Sequence, residues 1–171
     1  MLQSQPVQTT FNRYLTPAHA GMVATTSGWD ADTGIAEAAS PNGIGFGLAV
    51  SYSGITDRGC VLGQLSGREF WGITMSDPTL ANISVNPGFT DLYQEGENVG
   101  VFVRGDIWVL PLGNVTFGDA VYFDSVTGQL GDSGIANAVA LQNARWMTSI
   151  PDKDVHVPNL FAIVRLGASA Q

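Results

Sequence analysis

From position 41 onward, short apolar runs alternate with glycine, proline, asparagine and aspartate, the pattern of many short strands joined by tight turns. Residues 44–50, 61–65 and 70–75 are the first three predicted strands. The clearest unit is 98–110. There Val99, Val101 and Val103 share one face, and Ile107, Trp108, Val109 and Leu110 make a near-continuous apolar run of the kind buried on both sides. Arg104, Gly105 and Asp106 divide the two halves, where glycine permits a bulge or a sharp bend. Residues 119–123 place Val121 and Phe123 on one face, with Ala120 and Tyr122 on the other. A turn over 124–128 then leads to Gln129 and Leu130, predicting a hairpin with a longer loop whose Gly128 takes a positive φ. Residues 160–166 alternate as a closing strand that ends at Gly167. Helical periodicity is confined to 135–141, where small apolar residues predict about two turns. The expected fold is therefore all-β, a single-domain β-barrel or β-sandwich of short strands.

The first ten positions break this pattern. They are rich in glutamine, serine and threonine and contain Pro6, which predicts an extended arm and not a core element. The expected organisation is an arm over 1–15 and a single β domain over 16–171. At 171 residues the chain fits one domain of roughly 100–200 residues, large enough to bury a core without covalent staples. Polar termini become ordered only when something ties them down, so the arm is expected to dock on a partner or a neighbouring copy. Pro6, Phe11 and Tyr14 are its predicted anchors, because aromatic side chains bring large contact area at low entropic cost.

Charge narrows the choice of partner. Seven basic side chains against fifteen acidic ones give a net charge of −8, which removes the cationic field that drives phosphate-backbone binding. Direct nucleic-acid binding is not expected. Only 13% of residues are charged, well under the usual ~25%, and such a polar, uncharged surface suits a packed assembly. The lone Cys60 excludes an intramolecular disulfide and any multi-cysteine metal site. No segment reads as a signal peptide or a membrane span, so neither secretion by a signal peptide nor membrane insertion is expected.

Each candidate for chemistry weakens on inspection. Ser133, between Asp132 and Gly134, has the local look of a serine-protease loop, and His19 precedes it in the chain. Ile135 stands where the second glycine belongs, however, and the chain is too short for two barrels. A distant hydrolase reading rests on these two residues alone. Asp30 to Gly34 begins like a calcium loop, but position 41 is proline where a bidentate glutamate is needed; an aspartate-glycine turn is the expectation. Gly43, Gly45 and Gly47 lack the downstream helix of a dinucleotide cradle and predict close backbone approach. His156 has no second ligand at metal spacing. Cys60 is expected to be a buried, inert thiol. Arg104-Gly105-Asp106 spells an adhesion tripeptide, yet its place between apolar runs predicts an internal ion pair or bulge. Glu95 and Glu97 read as a solvated rim before a strand. No catalytic residue, metal site or cofactor is predicted.

The order of the blocks is more informative than any one residue. Gly67-Arg68-Glu69-Phe70-Trp71-Gly72-Ile73-Thr74 is followed by Asp77-Pro78-Thr79, Tyr93 with Gly96-Glu97-Asn98-Val99, and Val103 to Val109. Gly118-Asp119-Ala120-Val121-Tyr122-Phe123, Ala144-Arg145-Trp146-Met147-Thr148-Ser149 and Ala162 to Gly167 complete the series. From Phe11 to the C-terminus this series resembles the structural cement, or capsid decoration, proteins of tailed bacteriophage heads. The resemblance implies a non-enzymatic β-rich virion protein on the outer surface of the expanded capsid, made in the host cytoplasm. It implies clamping of adjacent major-capsid subunits, with other copies of the chain as further partners, as trimers or as bridging copies. The quoted strands correspond to a core and carry no contact list. An alternative from the residues alone is another virion or extracellular β module, such as a tail, fibre or carbohydrate-binding domain.

Overall fold

The computed structural model describes residues 18–25, 28–37, 43–64, 67–77, 92–150 and 161–167. The described residues contain no helix and form eleven strands: β1 (Asp30–Ala36), β2 (Ile44–Gly45), β3 (Ala49–Tyr52), β4 (Gly59–Leu62), β5 (Phe70–Thr74), β6 (Leu92–Tyr93), β7 (Asn98–Val109), β8 (Ala120–Asp124), β9 (Leu130–Gly131), β10 (Ala138–Trp146) and β11 (Ala162–Leu166).

Five strands close on themselves. β1 pairs in parallel with β4, β4 with β3, β3 with β5, β5 with β7, and β7 returns to β1. The ring β1-β4-β3-β5-β7 is a small closed barrel without a free edge. A second sheet runs on from β7 in the order β7-β11-β10-β8-β9. β7 therefore belongs to both bodies, its first half pairing with β1 and residues 105–109 pairing with β11. The change of partner falls at Gly105, whose φ is +111°. A Cβ there would stand 2.8 Å from Cβ of Trp29, whose ring stacks on Phe102 with centroids 6.3 Å apart. Both the backbone conformation and the space exclude a side chain.

The period-2 alternation of β7 feeds two cores. Val99 and Val101 face the barrel interior with Ala36, Val50, Cys60 and Trp71. Phe102 faces the opposite way and joins Ala49 and Ile73 under the second sheet, against Phe123, Leu141, Trp146 and Val164. The sheet thus packs on the outer wall of the barrel. Phe70 of β5 meets Phe123 of β8 at a centroid distance of 5.7 Å across that junction. Trp71 is re-aimed by a bulge, since Val50 pairs with Gly72 while Ser51 pairs with Phe70, leaving Trp71 as the extra residue on β5. Its ring crosses to β1, a strand with which β5 does not pair, and lies where a Cβ on Gly34 would come within 2.8 Å.

Three local expectations change. Over 135–141 there is no helix: the chain turns through Asn137 at φ +48° and enters β10. Val139 packs against the core and Leu141 is buried, whereas Ala138 and Ala140 are exposed; pairing with β8 imposes period 2 on residues whose small size fits either period. Residues 44–50 split into β2, which pairs with β6, and β3. Thr74 holds the break, its hydroxyl donating to the Gly45 carbonyl at 2.7 Å and accepting from the Leu48 amide at 3.0 Å. The run 107–110 is not buried on both sides. Ile107 and Val109 are fully buried, Trp108 is half-buried and Leu110 is exposed, because only one face of this half of β7 meets the core. Of the predicted strand over 61–65 only Val61 and Leu62 belong to β4, which begins at Gly59, and residue 65 lies outside the described residues, whereas the strands over 70–75 and 98–110, the 119–130 hairpin and the closing strand stand within two residues of where expected.

Candidate interaction surface

The predicted arm anchors Pro6, Phe11 and Tyr14 lie outside the described residues, as does His156. His19 and Ser133 do not meet. His19 Nε2 contacts the Ser76 hydroxyl at 2.9 Å in an exposed setting, joining the 18–25 segment to the end of β5. Ser133 is exposed in a turn where Asp132 accepts a hydrogen bond from the Gly134 amide at 2.8 Å. The hydrogen bond of His19 Nε2 thus goes to Ser76 and not to Ser133. Among the described residues no group of three or more histidine, cysteine or carboxylate side chains is arranged to hold a metal.

Asp30 to Gly34 forms part of strand β1 and not the expected turn. The reason is the long pairing of Asp30 to Ile35 with β7. Asp32 accepts from the Thr33 amide and pairs with Arg58, which also donates to the Thr33 carbonyl. The predicted close approach near the early glycines is present at Gly47, where a Cβ would lie 2.9 Å from Cβ of Ala20. Cys60 is fully buried, and burial, with a smaller contribution from Glu37, pushes its thiol up to about 12. Such a thiol is unreactive at neutral pH.

The adhesion tripeptide is dismantled by its own fold. Asp106 is buried and is gripped by Arg165 of β11, not by Arg104: Arg165 Nε donates to Oδ1 at 2.6 Å and Nη2 to Oδ2 at 2.8 Å. The expected internal ion pair exists with a different cation, and Gly105 supplies the expected bend. Glu97 accepts from the Gln94 amide in the turn before β7, and Glu95 is exposed, as a solvated rim requires.

Large apolar side chains remain uncovered on both bodies. At the barrel end Ile35 is 40% exposed beside Gly59, and Ile55 on the β3–β4 turn is 75% exposed. Tyr52 lies over Trp71 in a stack of 4.3 Å and is itself 38% exposed. This end is near the start of β7, because Ile35 pairs with Asn98. On the sheet side Leu110 and Leu112 follow the end of β7, and Phe117 in the same connection is 62% exposed, its amide donating to the Ser149 hydroxyl. At roughly 3.3 Å per residue, β7 separates the two groups by up to about 35 Å. Sequence reasoning did not single out Ile55 or Phe117. The available signal was a large apolar residue inside a polar, glycine-containing turn, at Ser53-Gly54-Ile55-Thr56 and Thr116-Phe117-Gly118.

Comparison with known proteins agrees with the sequence pattern. A family described as "Structural cement protein (E217 gp24/Pam3 gp6)" of phages matches residues 7–167. A chain in the capsid of Myoviridae Phage XM1 has a similar fold, with a TM-score of 0.66, 15% sequence identity, and coverage of 95% of this chain and 98% of that one. No curated protein sequence matches this chain. At that identity the likeness to the XM1 chain speaks for the fold alone.

Proposed function

The chain belongs to the phage structural cement protein family, and from that premise we propose that it binds the outer surface of the expanded head and ties neighbouring major-capsid subunits together. A structural, capsid-associated role in the virion follows from the family itself. The finer reading is carried by one observation: uncovered apolar groups stand on both bodies, at Ile35 and Ile55 and at Leu112 and Phe117, separated by the shared strand β7. Isolated exposed apolar residues are ordinary on protein surfaces. Two groups on opposite parts of a rigidly paired scaffold are what a bridging protein needs. The proposed arm over 1–15, with Pro6, Phe11 and Tyr14, adds a third contact to a capsid subunit or to another copy.

Cementing requires no catalytic group. Symmetry repeats each weak contact over the shell, so avidity replaces a single tight site. A protein that binds the expanded lattice and not its precursor stabilises the expanded state by mass action. Co-sedimentation of the purified chain with undecorated expanded heads and with unexpanded proheads tests this. Saturable binding to expanded heads alone is the expected result. Absence of binding to either particle overturns the proposal.

A further inference from the structure

The bend of β7 opens a cleft of about 310 Å³ beside β11, lined by Thr25, Gly28, Arg104, Asp106, Arg165 and Leu166. This volume is at the low end of the roughly 300–1,000 Å³ of small-ligand pockets, and suits a side chain better than a cofactor. Its charge runs against the rest of the chain. In a protein with net charge −8, two guanidinium groups border one small cleft. The only carboxylate in the lining is already engaged: both oxygens of Asp106 are held by Nε and Nη2 of Arg165, and the residue is buried. That fork fixes Arg165 through Nε and Nη2 and does not use its Nη1, on a side chain that is 45% exposed. Arg104 is exposed and, although Asp30 stands opposite it in the β1–β7 register, it makes no ion pair among the described residues. By contrast, Arg58 is paired with Asp32 and Arg145 donates to the Gly118 carbonyl.

We propose that this cleft receives a carboxylate side chain, glutamate or aspartate, from a neighbouring protein chain. Arg104 and the free edge of Arg165 would hold its two oxygens through charge-assisted hydrogen bonds, for which the planar guanidinium is suited. A polyanion such as nucleic acid is disfavoured by the overall negative charge, which repels it outside the cleft. The proposal does not rest on the cementing role, since it concerns the isolated chain.

The test is nuclear magnetic resonance titration of the isotope-labelled full chain with three probes: acetyl-Gly-Glu-Gly-amide, acetyl-Gly-Gln-Gly-amide and inorganic phosphate. The glutamate peptide is expected to shift the amides of residues 104–106 and 165–167, with the effect fading as salt is added, while the glutamine peptide leaves them in place. Arg104→Glu should weaken the glutamate peptide by roughly tenfold, as expected for loss of one charge-assisted contact. Arg104→Lys should fall between the two, and unchanged amides elsewhere show that the variants fold. No shift with the glutamate peptide, equal shifts with both peptides, or an unaltered response in Arg104→Glu overturns the proposal. Phosphate acting as strongly as the glutamate peptide overturns it in favour of a general anion site.

Discussion

In the barrel every strand has a hydrogen-bonded neighbour on both sides, and its cluster is mostly small or β-branched, Ala36, Ile44, Val50, Cys60, Val99 and Val101, with Trp71 and Tyr93 as the two large members. The second sheet ends at the two-residue strand β9 and is held by larger groups, Phe102, Phe123, Leu130, Leu141 and Trp146, packed against the barrel wall. The barrel is limited by clearance and the sheet by filling. In a closed five-stranded ring there is little room inside, so Gly34 must yield its side-chain space to Trp71. Under an open sheet the core is only as good as the volume that fills it. β7 joins the two regimes, and a single cooperative unfolding transition is expected because neither body is complete without it.

The largest loss of stability is expected on the sheet side. Trp146→Ala removes a fully buried indole and should cost about 3–5 kcal/mol in denaturant unfolding. Trp146→Phe should cost much less. The buried Trp146 Nε1 has no hydrogen-bond partner among the described residues, so its loss removes no bond. Next in size is Gly105→Val at the junction. A β-branched residue at φ +111° against the Trp29 backbone should cost about 2–4 kcal/mol. Hydrogen exchange should then show the barrel and sheet opening separately, with a lowered denaturant slope. On the barrel side, Gly34→Ala puts a methyl against the Trp71 ring and should cost about 1–3 kcal/mol. Quenching or a spectral shift of Trp71 should accompany it, with the sheet amides little changed.

The smallest effect is electrostatic. Burial raises the Asp124 carboxyl, but hydrogen bonds from the Val126 amide, the Thr127 hydroxyl and Asn137 outweigh it and hold the group below its ordinary value of 3.8. A depressed folded-state value contributes stability that is complete above 3.8 and is lost as pH falls through the lower folded value. Asp124→Asn should therefore flatten the acid limb of the stability curve, with the difference from the unaltered chain fading below that window.

Much of this architecture was legible because the local signals agree. The alternation of Val121 and Phe123, the positive φ of Gly128 and the bend at Gly105 are properties of a few neighbouring residues. What escaped depends on distant partners. The Trp71 bulge exists only in the register between β3 and β5, and the strand over 138–146 is decided by pairing with β8. Asp106 pairs with a cation 59 positions away, although Arg104 is nearer in sequence. Ring closure of the barrel requires β1 to meet β4 and β7 at once, which no window of sequence reports. The exposed groups at Ile55 and Phe117 escaped for a different reason: an apolar residue in a turn looks the same whether neighbouring loops cover it or leave it bare.

In the proposed cementing role both bodies carry contacts, and protection of the head needs the two together. Ile55→Asp and Phe117→Asp alter the most exposed apolar residue of each group without touching either core. The decisive measurement is the temperature at which undecorated expanded heads, saturated with each variant and then heated, release their DNA. Each variant should still bind, more weakly, and each should lose most of the rise in rupture temperature given by the unaltered chain. If either variant protects the heads as fully as the unaltered chain, that end makes no contact and the two-ended account is contradicted.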